Sequence, residues 1–397
     1  MKILFVSAVF PYPLYSGGQV RIYNLLKLLS QKHSISLFCF IRDSEEAAYR
    51  EKVSFCENVE TVLRGRAWQF GYVTRSIVGI YPLLYASYNL TEMRLLIAKK
   101  LRDESFDLVH IEPSYVWPSL PKLKTPVVVG EHNIEYQVYE RYVSHFSFVP
   151  LRPILAVDVL KHKYWEHTVW RRANHIIAVS NEDKSLIEGS SISTPVSLVP
   201  NGVDTSYFTY HKRQQRAENP VCLFIGDFAW MQNRDSVRYL AEEIWPEIKR
   251  VVPGATLRII GRNLSRALRD AIVRAGAEVI ESVGDIRPEY EKATFLLAPI
   301  RIGGGTKFKI LEAMASGLPV VATSLGAQGL SVENGKNLTL AETPAEFAQS
   351  IKRLSFDTLL VNRMSSAARR IIEKNYSWTN IAKELAAAWE KTRENNH

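Results

Sequence analysis

The stretch from Phe295 to Thr323 constrains the fold more than any other part of the chain. A short apolar run at 295–297 is typical of a buried strand, and glycines at 303–305 follow it. Apolar residues then recur at helical spacing over 308–315, and Gly317 stands where a helix would stop, just before a second apolar run. A helix between two buried strands predicts an α/β domain with a parallel sheet.

The glycine run predicts an anion site at the start of this helix. Three glycines let the backbone turn sharply and direct several N–H groups toward one ligand; they are Gly303, Gly304 and Gly305. Thr306 is the predicted N-cap. Lys307 and Lys309 stand in the first turn, where cations oppose the helix dipole unless an anion binds between them. A surface helix with two solvated lysines is the alternative.

Glu312 lies five residues after Lys307. Its carboxylate could accept hydrogen bonds from sugar hydroxyls. A surface carboxylate paired with a nearby lysine is the alternative.

The Gly-rich loop followed by KILEAMASGLPVVAT resembles the donor site of retaining glycosyltransferases with two Rossmann-like domains, the GT-B type, and specifically their family 4. That family often has two glutamates eight positions apart. By that pattern Glu312 is the second, and the resemblance implies that it contacts ribose. The first falls at Gly304, which has no side chain to hold a donor sugar. A subset with a GGGT run places backbone amides there, so this motif does not indicate which sugar is transferred.

The resemblance also implies roles for residues near the amino terminus. His132 follows the predicted strand PVVVG, at the edge of a parallel sheet where α/β proteins bind ligands. The segment EHNIEYQVYER is similar to the HN-E segment of the family, which implies that His132 lies near the donor sugar. A structural histidine is the alternative. Gly17 and Gly18 stand between the first strand and the first helix, in a loop that closes over the donor in the family.

Further donor contacts are implied in the second half of the chain. The nucleotide base is expected against the loop from Val283 to Asp285, and Arg262 near the diphosphate. Many relatives have an Arg and a Lys in the loop after Gly226, where this chain has Asn233 and Arg234. Neutralisation of the diphosphate is therefore expected to shift to Arg262 and Lys307.

The length of the chain and its cysteines limit the number of domains and the kinds of stabilising site that can be expected. With 397 residues, two domains of roughly 200 residues each are expected. We predict an acceptor domain at 1–205, a nucleotide-sugar domain at 206–375 and a helix at 376–397 that crosses back to the first domain, with a polar linker at 211–220. Cys39, Cys56 and Cys222 form no CxxC pair, which argues against a disulfide framework or structural zinc.

The charge distribution predicts an acidic partner. The net charge is +9, and the interval from Thr61 to Arg102 holds seven Lys/Arg and one acid, Glu92. Aromatic residues alternate with these cations over 68–102, from Trp68 onward, which is typical of a membrane-interface or nucleic-acid surface. A helical hairpin packed on its own domain is the alternative. The N-terminus indicates a first strand and not a signal peptide, and no window of about 18 apolar residues indicates a spanning helix.

Together these features predict a cytoplasmic retaining hexosyltransferase, with two Rossmann-like domains and the donor in an interdomain cleft. Its expected partners are a nucleotide-diphosphate sugar, a glycan or lipid-linked acceptor for cell-surface polysaccharide or glycolipid synthesis, and an anionic membrane surface. No metal, cofactor or nucleic acid is expected; His132 and Lys307 are the predicted catalytic residues. A non-hydrolysing nucleotide-sugar epimerase and a nucleic-acid binder remain as alternatives. The donor, acceptor, linkage and oligomeric state are not indicated.

Overall fold

The computed structural model describes residues 1–66, 69–144, 146, 148–212, 218–303 and 305–396. These residues form two compact units, one made of 1–200 with 378–397 and the other of 201–377. Trp68 and Gly304, which the sequence analysis singled out, lie outside the described residues, as do residues 213–217 of the polar segment at 211–220.

The first unit is built on a seven-stranded parallel sheet with the order β3-β2-β1-β4-β5-β6-β7. Its strands are β1 Lys2–Ser7, β2 Ser34–Ile41, β3 Asn58–Leu63, β4 Leu108–Glu112, β5 Val127–Gly130, β6 His175–Ala178 and β7 Val196–Leu198. Strands β1, β2, β4, β5 and β6 are almost continuously apolar and buried, as expected of strands covered on both faces.

The helices of the first unit connect these strands and pack on the sheet. They are α1 Gly17–Leu29, α2 Phe70–Val78, α3 Leu83–Tyr88, α4 Thr91–Asp103, α5 Glu135–Ser144, α6 Arg152–Arg172 and α7 Asn181–Glu188, with short 3₁₀ segments at Ser44–Val53, Ser114–Ser119 and Val149–Leu151. Helix α1 begins with a capping box between Ser16 and Gln19.

The second unit has a six-stranded parallel sheet with the order β10-β9-β8-β11-β12-β13. The strands are β8 Val221–Ile225, β9 Thr256–Ile260, β10 Glu278–Ile280, β11 Phe295–Ala298, β12 Val320–Ala322 and β13 Thr339–Leu340. The helices are α8 Met231–Tyr239, α9 Trp245–Val251, α10 Arg266–Arg274, α11 Arg287–Lys292, α12 Phe308–Ala315, α13 Pro344–Phe356 and α14 Thr358–Ile371, with π-helical turns at Leu240–Ile244 and Ile372–Tyr376. Two parallel sheets with helical crossovers confirm the predicted α/β class with two Rossmann-like domains.

The last helix, α15 Trp378–Glu394, belongs to the first unit. It packs against α1, β4 and β6. The indole of Trp389 is fully buried, and its Nε1 donates a hydrogen bond to Nδ1 of His110 at 2.9 Å. The first sheet is therefore covered by the end of the chain.

Candidate functional site

The glycine-rich loop opens α12 as the sequence predicted, with one correction. Gly303 and Gly305 have φ values of 101° and 70°, a region that only glycine adopts readily. The N-cap of α12 is Lys307, and Thr306 does not cap it; no side chain caps this helix. In this first turn the N–H groups of Ile310 and Leu311 donate to the carbonyl of Lys307, and the helix dipole favours an anion at this end.

The hydroxyl of Thr306 is an unusual feature of the same loop. Thr306 is only 8% exposed, and its Oγ1 has no hydrogen-bond partner among the described residues. A buried hydroxyl without a partner costs free energy, and such groups in a native protein call for an explanation. A bound anion beside the loop would supply the missing acceptor.

Two lysines lie at the start of α12, in different surroundings. Nζ of Lys307 donates to the carbonyl of Gly305 at 2.5 Å. Nζ of Lys309 donates to Oδ1 of Asn233 at 2.9 Å and lies 4.4 Å from the centre of the Phe224 ring. Burial, followed by repulsion from Lys307, lowers the pKa of Lys309 to about 7.

The carboxylate of Glu312 is held by Tyr290 of α11. The Tyr290 hydroxyl donates to Oε2 of Glu312 at 2.6 Å, and burial raises the pKa of Glu312. Glu312 is only partly exposed, so it is not the solvated surface carboxylate of the alternative interpretation.

Arg262 and the loop after β8 lie in the same unit. Nη2 of Arg262 contacts Oδ2 of Asp227 at 3.1 Å, with its side chain 35% exposed. Nη1 of Arg234 donates to the carbonyls of Phe228 and Ala229 and thereby supports the loop backbone. The amide of Asn233 is fixed by its own hydrogen bond to the Asp227 carbonyl, which orients its oxygen toward Lys309.

The loop from Val283 to Asp285, predicted to contact the nucleotide base, is stabilised by an ion pair. Asp285 pairs with Arg287 at 2.5 Å and accepts a hydrogen bond from the Tyr207 hydroxyl at 3.2 Å. Hydrogen bonds from Arg287 lower the pKa of Asp285 to about 2. Val283 packs against the core of the second unit. The Asp285 carboxylate therefore organises its own loop.

In the first unit, a buried ion pair lies at the carboxyl end of β4. Nε of Arg21 donates to Oε1 of Glu112 at 2.9 Å, and both side chains are almost completely buried. Nη1 of Arg21 also donates to the carbonyls of Val199 and Pro200. Burial opposes ionisation of Glu112, but the charges of Arg21 and His132 outweigh it and hold its pKa below the ordinary value.

His132 lies beside this pair, at the edge of the sheet where the sequence predicted it. Its Nε2 is 3.6 Å from Oε1 of Glu112, and its side chain is 18% exposed. Nε2 makes no hydrogen bond within the described parts of the chain. A Cβ at Gly18 would lie 3.2 Å from the imidazole ring, so glycine at this position leaves room for the histidine. Gly17 is the first residue of α1 beside it.

Three residues of these arrangements were missed by the sequence analysis as functional candidates: Arg21, Glu112 and Tyr290. Lys309 was predicted only as one of two first-turn cations beside a bound anion. Glu112 ends the apolar run LVHIE, and a carboxylate at the end of a buried strand was the available signal. Nothing local in the sequence pairs Arg21 with a residue 91 positions away.

Among the residues that the structure describes, no group of three or more His, Cys, Asp or Glu side chains is placed to hold a metal ion. The three cysteines are buried free thiols.

The region 68–102 differs from the aromatic and basic surface that the sequence predicted. Tyr72, Tyr85 and Tyr88 are buried, and Arg64, expected on the same surface, is 7% exposed. The Arg64 guanidinium lies 4.5 Å from the centre of the Tyr88 ring. These residues pack within their own unit, as in the alternative interpretation.

The same region nevertheless contributes to an exposed apolar surface, which we call the α2–α6 face. Helices α2 and α6 are joined by hydrogen bonds from Lys161 to the Ser76 and Gly79 carbonyls and from Ser76 to Asp158. The apolar residues they leave exposed include Phe70 at 84%, Ile77 at 72%, Val78 at 86%, Ile154 at 65% and Leu160 at 65%. Within the described residues, no helix is both long and apolar enough to cross a membrane.

Two family models match the chain. The model described as Glycosyltransferase Family 4 matches residues 15–207, and the model described as Glycosyl transferases group 1 matches residues 219–357. Together they span most of the chain, and their boundary falls close to the division between the two units.

Comparison with individual proteins agrees with the two family models. An uncharacterised 44.6 kDa protein in the cps region of Klebsiella pneumoniae is 23% identical over 94% of this chain and 96% of its own length. The lipopolysaccharide core biosynthesis mannosyltransferase LpsB of Rhizobium meliloti is 26% identical over 45% of this chain and 53% of its own. The structure of Anabaena HepE, in complex with UDP and glucose, matches with a TM-score of 0.67 at 17% identity and covers 98% of this chain and 100% of HepE.

Proposed function

The chain is a glycosyltransferase with the GT-B fold, and we propose that it transfers a hexose from a nucleotide-diphosphate sugar, with retention of configuration, to a glycan or lipid-linked acceptor. HepE binds UDP, and LpsB acts in lipopolysaccharide core synthesis. These relatives support a sugar nucleotide as donor and cell-surface polysaccharide or glycolipid synthesis as the setting. They favour transfer over the epimerase and nucleic-acid-binding alternatives.

One observation carries this proposal: the start of α12 is arranged for an anion. The helix begins without a side-chain cap, after glycines with positive φ. Thr306 has an orphan buried hydroxyl, and Lys307 and Lys309 are placed at the same junction. The positive end of the helix dipole, a buried hydroxyl and two cations together suit the diphosphate of a sugar nucleotide.

The chemistry then follows from charge that develops on the leaving group. As the bond between the sugar C1 and the phosphate oxygen breaks, negative charge accumulates on the diphosphate. Preorganised N–H groups and cations stabilise such charge without reorganising, which lowers the barrier. Lys307 and Arg262 are proposed to contact the leaving diphosphate, in place of a metal ion. The acceptor oxygen bonds to C1 on the face that the diphosphate leaves, and the acceptor proton passes to the departing phosphate.

We propose the remaining donor contacts from the resemblance to family 4 and from the surroundings of each residue. Glu312 would accept hydrogen bonds from ribose hydroxyls, and the loop 283–285 would line the base. In the first unit, His132 would contact the donor sugar through its imidazole ring, whose Nε2 faces Glu112. Glu112, beside the ring, acts as a positioning residue for that histidine.

A thermal-shift screen of UDP-, GDP- and ADP-sugars tests the donor site directly. A ligand that binds only the native state raises the melting temperature, by an amount that grows with its concentration relative to Kd. We expect one nucleotide class to raise it, with EDTA present as well as absent. No shift with any sugar nucleotide would contradict the proposal. A shift that needs added divalent metal would contradict the metal-independent form of it.

We also propose that the acceptor is reached at an anionic membrane surface through the α2–α6 face. The exposed apolar side chains are accompanied by three exposed cations on or just before the same helices, Arg66, Arg75 and Lys163. The acid between them, Asp158, is engaged by Ser76 and by the backbone of Leu83. Apolar side chains with a basic rim favour the headgroup layer, where each cation contributes about 1 kcal/mol. The same basic rim would repel a second copy of itself.

Liposome sedimentation tests this surface. Binding is expected with vesicles containing anionic lipid at low salt, and should weaken as salt screens the charges. Charge reversal at Arg66, Arg75 and Lys163 should abolish it; Arg64 is left unchanged because it is buried. The matched control reverses the exposed Lys99 and Arg102 on α4. Equal loss in both variants, or dimerisation through this face in solution, would contradict the proposal.

A further inference from the structure

Lys309 lies in surroundings that are unusual for a lysine. It is the second residue of α12, at the helix end where the dipole disfavours a cation. Protein atoms surround its amine, and yet solvent still reaches part of the residue. Its polar partner is the amide oxygen of Asn233, and the face of Phe224 lies against it. Both partners are neutral.

No carboxylate of the described chain lies within 4.0 Å of this amine. The charged groups around it are engaged elsewhere: Asp227 contacts Arg262, and Glu312 of the same helix accepts from Tyr290. The other nearby charge is the like charge of Lys307. A sheltered ammonium that donates to a neutral amide, with Glu312 acting on it only at longer range, is an incomplete arrangement.

We propose that Lys309 is the counter-charge of the donor diphosphate, and that binding of the sugar nucleotide draws a proton from solvent onto its amine. This inference rests on the proposed function and adds to it a proton linkage at one named residue. The diphosphate supplies the anion that the amine lacks, and it lies at the same loop and helix start as the Thr306 hydroxyl.

A proton linkage follows, with a definite sign. The free protein holds the amine partly neutral near pH 7, and the bound diphosphate favours the charged form. Affinity should be constant below pH 7 and fall as pH rises, by up to about tenfold per pH unit for one proton. Glu312, whose pKa is raised from 4.5, and the phenol of Tyr290, whose pKa is raised well above 10, face the same helix. The phenol does not titrate between pH 7 and 8.5. The Glu312→Gln variant reports how much of the proton uptake comes from the Glu312 carboxyl.

Isothermal titration calorimetry with an intact sugar nucleotide measures this linkage. A sugar nucleotide is the right probe because, unlike a free nucleoside diphosphate, it has no terminal phosphate that titrates near pH 6. Titrations at pH 6.5 and 8.5, each in two buffers with different ionisation enthalpies, report proton uptake. We expect affinity roughly 10- to 30-fold lower at pH 8.5, with uptake of about one proton at that pH.

Variants at two lysines separate Lys309 from its neighbour. Lys309→Arg keeps a charge at every pH and should bind with neither proton uptake nor pH dependence. Lys309→Met should bind more weakly and also lose the pH dependence, while Lys307→Met should weaken binding but retain the proton uptake. Lys336→Met, at an exposed lysine of the same unit, is the matched control and should behave as wild type.

The outcomes distinguish this inference from the proposed function. Binding at pH 6.5 with flat affinity to pH 8.5, or proton uptake that persists in Lys309→Met, overturns the role of Lys309 and leaves the donor site intact. An absence of binding by UDP-, GDP- and ADP-sugars at pH 6.5 removes the proposed function and this inference with it.

Discussion

At the scale of single residues, the candidate donor site depends on polar side chains that are held by a second residue. Glu312 is held by Tyr290, the amide of Asn233 orients toward Lys309, and Glu112 lies against His132. A side chain fixed in this way loses little conformational freedom when it binds a ligand. The supporting residues are therefore as informative to mutate as the residues proposed to contact the donor.

Glu312→Gln should raise KM for the sugar nucleotide, because it removes a charged acceptor for ribose hydroxyls. Tyr290→Phe removes only the hydroxyl that holds this carboxylate, so it should raise KM by a smaller factor. Steady-state kinetics with a melting curve for each variant checks both effects. A fall in melting temperature with unchanged nucleotide affinity would show that Glu312 is structural.

His132→Ala should lower kcat and leave the affinity for free nucleoside diphosphate nearly unchanged, since the proposal places it at the sugar. Gly18→Ala is a milder test, because its Cβ would lie 3.2 Å from the imidazole and displace it slightly. Kinetics and calorimetry of both variants separate the two quantities. An equal loss of diphosphate affinity would move His132 away from the sugar, and no change would make it a structural histidine.

At the scale of elements, the Arg21–Glu112 pair joins α1 to the end of β4 and to the carbonyls that follow β7. The pair is nearly inaccessible to solvent, so each charge depends on the other. It fixes the start of α1, where Gly17 and Gly18 lie, relative to the strand beside His132. The pair thus connects the packing of the first sheet to the placement of a predicted site residue.

Arg21→Met should destabilise the first unit by about 3–5 kcal/mol, because it leaves the Glu112 carboxylate buried without its partner. The double variant Arg21→Met, Glu112→Met removes both charges and should be more stable than Arg21→Met alone. Denaturant unfolding followed by fluorescence gives the comparison. Additive losses in the double variant would show that the two side chains do not stabilise each other.

At the scale of the whole molecule, buried titratable groups are concentrated in the first unit. Burial raises the pKa of Glu131 and Glu166, and raises that of Glu135 to about 7. Burial also lowers the pKa of His110 and His175 to about 4 and of His162 to about 3. These groups are neutral in the folded protein over ranges in which the unfolded chain would carry charge, so the stability of this unit depends on pH.

The free energy of unfolding of the first unit should fall between pH 6.5 and 8.5. The folded carboxyls keep protons that the unfolded chain releases above 4.5, and this stabilisation is lost as pH rises through their folded pKa. The histidines act in the opposite sense only below 6.5, where the unfolded chain takes up protons. Each carboxyl contributes at most about 1.4 kcal/mol per pH unit.

Hydrogen exchange of peptides from β5 and α6, corrected for intrinsic rates, measures this fall. Glu135→Gln should reduce the slope, since it removes one of the titrating carboxyls. Protection in these peptides that rises from pH 6.5 to 8.5 would contradict the assignment of these buried carboxyls.

The local pattern of the sequence was sufficient to predict several features of this protein. Alternating buried runs and helical periodicity determined the α/β class, because parallel strands covered on both faces must be apolar throughout. The glycine run and Gly317 marked the start and end of α12, since positive φ is unfavourable for other residues; Gly317 has φ of 72°. The position of His132 followed from its place just after a strand.

Tertiary structure alone decided the partners of the polar groups and the exposure of the aromatic ones. Lys309 meets Asn233 across 76 residues of chain, and Arg21 meets Glu112 across 91, distances over which sequence pattern carries no pairing information. Tyr85 and Tyr88 of α3 are buried while Ile77 and Val78 of α2 are exposed, because the packing of α2 on α3, and of α3 on the segment Ser114–Ser119, determines which side of each helix faces solvent. Sequence periodicity reports that a helix has an apolar side, and only the packed neighbours determine what covers that side.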